Sequence, residues 1–350
     1  MSARTRADLE QLPAYVAGRT VPGSIKLASN EVSEGPLPAA VAAINEAATQ
    51  VHRYPDMGVA TLTGALAERY DVAPEQIAVG CGSVALCEQL VQATCTASDE
   101  VVFPWRSFEA YPIITQVVGA KQVRVPLTGA HALDLEAMLA AITPATRLMF
   151  VCTPNNPTGT LLRGAELDAF LDRVPSDVLV VLDEAYFEFV DDTDAPDGVE
   201  ITRARDNVVS LRTFSKAYGL AGARVGYAIA QPKIAEALRK VSIPFSVNAL
   251  AQAAAVASLR APEELRRRCA DVISERARVH AELTALGYEV PETQANFVWL
   301  PLGSRTPAFN EHCLANKVVV RAFGEEGTRV TIGTPEENDR LLAAAKSFPG

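Results

Sequence analysis

The segment RTFSKAYGLAGARVGY, residues 212–227, contains a lysine at position 216 and an arginine at position 224. An amine can act as a nucleophile or base only where burial or neighbours lower its proton affinity, so its place in the chain matters. Just upstream, Asn207-Val208-Val209-Ser210-Leu211 has the short, β-branched pattern of a buried strand. That strand would deliver Thr213, Ser215 and Lys216 into a loop. Ligands of open α/β sheets gather beyond the carboxyl ends of strands, which favours chemistry at Lys216 over a solvated surface role.

Three other strand ends carry polar groups of the same kind. Gly80-Cys81-Gly82-Ser83 follows the apolar stretch Gln76-Ile77-Ala78-Val79 and precedes a helical pattern. At such a helix start, unpaired N–H groups and the helix dipole favour a phosphate, although an ordinary turn explains the glycines equally well. TPNNPTG, residues 153–159, presents Asn155 and Asn156 from a loop fixed by two prolines. In LDEAY, Asp183 follows the apolar run Val178–Leu182, where a carboxylate without a partner is costly. It calls for a cation, or else caps a helix.

The elements that must position these groups read as alternating strands and helices from about residue 36. Pro38 begins an alanine-rich helix; further strands are expected at 100–103, 147–152, 178–182 and 207–211. Such alternation predicts α/β architecture, a mainly parallel sheet covered by helices. After Pro244 the rhythm changes to a long amphipathic helix over about 263–286 and strands at 296–300, 318–323 and 329–332. The expected division is a large domain over 36–245 and a small α+β domain formed by 1–35 and 246–350.

Composition narrows the function classes. With 350 residues, 49% hydrophobic and 21% charged, the chain has the make-up of a folded globular protein. A net charge of −10 and the lack of any Lys/Arg-rich run argue against nucleic acid as a partner. The amino terminus lacks an apolar signal core and no apolar run reaches membrane-spanning length, so no membrane and a cytoplasmic location are expected. Six cysteines without metal-ligand spacing predict reduced packing residues and no metal site.

Taken together, a phosphate cradle, a buried carboxylate, an amide, a tyrosine and a lysine fit a pyridoxal phosphate site. The lysine would form a Schiff base with the cofactor aldehyde, and the acid would keep the pyridine nitrogen protonated. Arg224 offers the phosphate a planar fork, with hydrogen bonds from Thr213, Ser215 and the amides of Gly82, Ser83 and Val84.

The motifs RTFSKAYGLAGARVGY, TPNNPTG, LDEAY and TRVTIGTPEEN, with IKLASNE near the start, resemble those of fold-type I aminotransferases. Within that group the chain is most similar to the histidinol-phosphate aminotransferase-like branch. The resemblance implies that Lys216 also moves the proton of the substrate α-carbon, that Asp183 pairs with the pyridinium, and that Asn156 and Tyr186 bond the ring oxygen. It further implies that Phe108 stacks on the ring, that Arg329 binds the substrate carboxylate, and that Tyr54 reaches the cofactor phosphate of a neighbouring subunit in a homodimer. Arg321 is a second candidate for an anionic substrate group, with an exposed strand-end role as the alternative.

Two departures from the histidinol-phosphate pattern replace polar residues by apolar ones: NEVSEGP at 30–36 and GSVAL at 82–86. With WRSFEAYP and QANFVWLPLGSR, they make the chain resemble the actinobacterial aromatic amino acid, or phenylalanine, aminotransferases. Tyr15, Phe108 and Trp105 would then suit an aromatic ring. The expected reaction moves an amino group between phenylalanine or tyrosine, or their keto acids, and the pair 2-oxoglutarate/glutamate. Histidinol phosphate is the alternative substrate, and a threonine-phosphate-type decarboxylase the alternative chemistry.

Overall fold

A computed structural model describes residues 3–10, 12 and 18–349. The strands, in chain order, are β1 (Ile25–Lys26), β2 (Ile77–Gly80), β3 (Glu100–Trp105), β4 (Lys121–Pro126), β5 (Thr146–Cys152), β6 (Leu179–Asp183), β7 (Val208–Thr213), β8 (Gly226–Ile229), β9 (Phe297–Leu300), β10 (Val318–Val319), β11 (Arg321–Phe323) and β12 (Gly327–Thr331).

Seven of them form one sheet in the order β2-β8-β7-β6-β5-β3-β4. The ladder from β7 to β4 is parallel, while β8 runs antiparallel to both β7 and β2. The apolar runs at β5 and β6 fit this position because helices cover both faces. Leu179 and Val181 enter one core with Phe150 and Tyr111; Val180 and Leu182 enter the opposite one with Met149 and Leu167. This alternation sends Asp183 to the first face and Glu184 to the second. β4 and β8 were not among the expected strands. Lys121–Pro126 is a partly exposed edge with too few apolar residues to register, and Gly226–Ile229 begins inside the glycine-rich motif.

A second, three-stranded antiparallel sheet has the order β11-β12-β9, and β1 pairs with β10 alongside it. Its core joins Val298, Leu300 and Val330 to Val279 and Leu283 of the long helix Pro262–Ala285 and to Leu341 of the last helix, Pro335–Ser347. That last helix opens with a capping box: Thr334 Oγ1 accepts from Glu337 N at 3.3 Å, and Glu337 Oε2 accepts from Thr334 N at 3.0 Å. The expected boundary at residue 246 differs from the packing. Helix Ala249–Leu259 buries Ala251, Ala254 and Ala255 in one cluster with Leu37, Ala40, Leu62 and Leu66. Leu265 of the helix at Pro262 still packs on that cluster, and Val279 and Leu283 further along it enter the core of the three-stranded sheet.

Candidate active site

The carboxyl ends of β5, β6 and β7 and the hairpin β11–β12 enclose a cavity of about 580 Å³. Asp183, Lys216, Arg224, Asn156, Tyr186 and Arg329 all line it, although they come from four separated segments.

Asp183 ends β6 and is buried. Its Oδ2 accepts from Tyr111 Oη at 2.6 Å, and its Oδ1 has no hydrogen-bond partner among the described residues. Burial pushes its pKa up to about 6, with the Tyr111 hydrogen bond working against that rise. Tyr111 is held in turn by stacking on Phe150, ring centroids 4.3 Å apart. Sequence reading missed Tyr111. Its place three residues after Phe108 on the same helical approach was the available signal, since residues so spaced share a face.

Lys216 donates from Nζ to Ser29 O at 3.1 Å. Burial first, and then the nearby Arg329 charge, lower its pKa to about 7, so a substantial fraction of the amine is neutral near that pH. The group that could act as nucleophile or base is thus kept in reactive form by its surroundings.

The turn expected to cradle a phosphate has a steric signature. Gly82 lies at φ 77°, and a Cβ there would stand 2.3 Å from Arg224 Nη2; a Cβ on Gly226 would stand 2.6 Å from Ser83 N. Only glycine lets the turn and the guanidinium approach so closely. Arg224 bonds Ser215 Oγ at 3.3 Å and Ala221 O at 3.0 Å, and Ser83 begins a helix of 12 residues. Thr213 Oγ1 accepts from Ser215 N at 3.1 Å, which leaves its O–H proton for another acceptor. Val84 lines the cavity beside this cradle.

The two asparagines of TPNNPTG separate in role. Asn155 is buried within the loop, bonded to Ser107 Oγ at 2.7 Å and Thr158 Oγ1 at 2.8 Å. Asn156 faces the cavity, where its Oδ1 accepts from Arg329 Nη1, so its amide protons stay available. Arg329 also donates to Ala28 O at 2.8 Å. Burial pushes the Tyr186 hydroxyl up from its ordinary value, and Tyr186 Oη accepts from Asn30 Nδ2 at 2.9 Å. Asn30, also missed, receives Thr331 Oγ1 on its Oδ1 at 3.1 Å, which ties the Tyr186 contact to β12.

Phe108 lines the cavity and meets Tyr111 edge-on at 5.5 Å. Arg321 lines it too, paired with Glu109 at 2.8 Å. Trp105 is not a lining residue; the guanidinium groups of Arg106 and Arg124 lie over its ring, 4.4 and 4.7 Å from the centroid. Tyr54 is 83% exposed, away from the cavity, and stacks on Phe245 at 4.7 Å. Tyr15 falls outside the described residues.

The arrangement offers a near-neutral amine, an orphaned carboxylate oxygen, one anion station at Arg224 with Ser83 and Ser215, and a second at Arg329. A flat phosphorylated aldehyde with a protonated ring nitrogen matches these groups, because its N–H would satisfy the unpartnered Asp183 Oδ1. Known proteins supply an independent comparison. The model of the family described as aminotransferase class I and II matches residues 22–344. An aromatic amino acid aminotransferase of Rhodococcus jostii is 60% identical over 347 residues, 99% of this chain and 96% of that protein. One from Nocardia farcinica is 58% identical over 348 residues, covering 99% and 97%. Among solved structures, a histidinol-phosphate aminotransferase from Sinorhizobium meliloti in complex with pyridoxal-5'-phosphate has a TM-score of 0.91 at 29% identity, covering 99% of this chain and 98% of that one.

Proposed function

The chain belongs to the class I and II aminotransferase family, and from that premise we propose that it uses pyridoxal phosphate to move the amino group of an aromatic L-amino acid, with 2-oxoglutarate/glutamate as the second pair. The observation that carries the reading is the buried pair of Asp183, with one unpartnered oxygen, and Lys216, with its proton affinity lowered, on one cavity. When bound, pyridoxal phosphate supplies an aldehyde for the amine and a ring that withdraws electrons from the substrate α-carbon.

The chain's own groups do the rest. Asp183 holds the ring N–H, and Tyr111 keeps Asp183 aimed. Arg224, Ser215, Thr213 and the amides of Gly82, Ser83 and Val84 would hold the phosphate; Asn156 and Tyr186 would donate to the ring oxygen, and Phe108 would cover the ring face. Arg329 would grip the substrate carboxylate with its planar fork and so hold the α-carbon in one orientation. Lys216, with its lowered proton affinity, would be the base that moves the proton of the substrate α-carbon.

Val84, Phe108 and Ile113 give the cavity an apolar flank, which favours a ring as the substrate side chain over a phosphate. We also infer a homodimer in which Tyr54, exposed with its neighbour Met57 and stacked on Phe245, reaches the partner's cofactor phosphate. A cytoplasmic setting accords with six free cysteines, five of them buried. No described helix is long and apolar enough to cross a membrane. The test mixes purified holoenzyme with phenylalanine, histidinol phosphate or aspartate in single turnovers and follows the loss of its visible absorbance. Fast reaction with phenylalanine and little with histidinol phosphate is expected; the reverse order refutes the aromatic assignment.

A further inference from the structure

We propose that Glu109 decides how the cavity treats a substrate side chain: it holds Arg321 in an ion pair while an uncharged ring is bound, and yields Arg321 to a substrate with a distal anion. This rests on the aromatic aminotransferase reading and explains how one cavity would serve both an aromatic and a dicarboxylic substrate.

Arg321 and Arg329 are direct cross-strand partners in the β11–β12 register, and both line the cavity. Like charges directly opposite one another repel, so Arg321 at this position needs a counter-charge. Glu109 Oε2 provides it, accepting from Arg321 Nη2 at 2.8 Å. The same Phe323 ring lies 5.6 Å from each guanidinium and fixes the two cations side by side. They form two adjacent anion stations, that of Arg321 already filled by the protein's own carboxylate.

Access and attachment both suit an exchange. The Arg321 and Glu109 side chains are 14% and 29% exposed, open enough for an incoming carboxylate to compete. Glu109 directly follows Phe108, so the carboxylate that must move sits next to an apolar lining residue. The loop bearing Glu109 is fastened to the β11–β12 hairpin a second time, by Arg106 Nε donating to Glu326 Oε2 at 3.0 Å. Arg321 can therefore change partner without releasing the loop. A ring meets a neutral pair in place of a bare cation, whose desolvation would cost binding; a distal carboxylate must displace Glu109, which weakens its binding.

The experiment titrates holoenzyme calorimetrically with two unreactive acids, glutarate and 3-phenylpropionate, using the wild type, Glu109→Gln and Glu109→Asp. In Glu109→Gln, glutarate should bind about tenfold tighter, the scale of a hydrogen bond to a charged group, while 3-phenylpropionate weakens. Glu109→Asp should move both affinities back toward the wild type. Equal shifts for the two acids in Glu109→Gln, or weaker glutarate binding, overturn the proposal. If the wild type does not bind 3-phenylpropionate, the aromatic reading fails and the proposal with it; binding in the wild type with an unchanged ratio in the variant refutes Glu109 alone. Should Glu109→Gln fail to fold, Arg321→Gln decides: glutarate must lose about tenfold more affinity than 3-phenylpropionate, and equal losses overturn the proposal.

Discussion

Asp183 and Glu184 are adjacent in the chain, both buried and both acidic, yet the two faces of the sheet treat them in opposite ways. Glu184 is fully satisfied: its Oε1 accepts from Gly198 N at 2.8 Å, and its Oε2 from Ser210 Oγ at 2.6 Å and Arg212 Nε at 3.1 Å. Arg212 is itself buried, paired also with Asp197 at 2.6 Å and lying 3.5 Å from the centroid of Phe187. Asp183 has Tyr111 on one oxygen and no partner among the described residues on the other. The carboxylate on one face completes the fold, whereas the one on the other face leaves room for something the fold does not contain. An incomplete set of partners around a buried charge is therefore the better sign of function, and burial alone is not.

Substitutions should separate the two faces. The largest effect on turnover belongs to the Asp183 face: Lys216→Ala should reduce steady-state transamination to background, and Asp183→Asn should lower kcat by about 10²–10³-fold. Calorimetric melting of Asp183→Asn should stay close to the wild type; a large drop would mean that Asp183 is structural like its neighbour. Next in size, Glu184→Gln should destabilise the protein by about 3 kcal/mol in denaturant unfolding, because it strips a buried guanidinium of one of its two counter-charges, the fully buried one. Its remaining folded fraction should keep near-normal kcat, and a loss of kcat as severe as that of Asp183→Asn would erase the distinction.

The smallest effect sharpens the comparison through pH. Because the folded-state pKa of Asp183 is raised from 3.8 to about 6, its contribution to stability is fully present below about 3.8 and is lost as pH rises through 6. Unfolding of the cofactor-free protein across that window should show this falling limb, and Asp183→Asn should flatten it. Tyr111→Phe, which removes a bond to the charged form, should extend the limb upward by on the order of one pH unit. An unchanged limb in Tyr111→Phe would mean that the Tyr111 hydroxyl does not steady the carboxylate.

Much of this was legible in the sequence because apolar strands ending in polar residues are a strong pattern. β5, β6 and β7 were visible as short apolar runs, and with them the placement of Asn156, Asp183 and Lys216 on one rim. The unseen parts depend on contacts distant in sequence. Tyr111 and Asn30 look like any aromatic and any loop amide until the fold brings them to Asp183 and Tyr186. Glu109 acquires meaning only when Arg321, 212 positions away, arrives beside it. The helix Ala249–Leu259 was assigned to the second domain because the change of rhythm after Pro244 precedes it; its alanine face, which fits closely on earlier helices, carries no strong periodic signal.

The contacts of residues 28–30 bear on the order in which the molecule comes into being. Ala28 O receives Arg329, Ser29 O receives Lys216, and Asn30 N donates to Thr331 Oγ1 at 2.9 Å across 301 positions. Pairings so remote form late, after the intervening chain has condensed. On the ribosome, a nascent chain that has emerged only as far as β11 already possesses Lys216, Asp183 and the β1–β10 pairing but lacks the Arg329 and Thr331 that hold residues 28 and 30. The lysine is thus made before β12 supplies Arg329, the guanidinium that completes the cavity the two share.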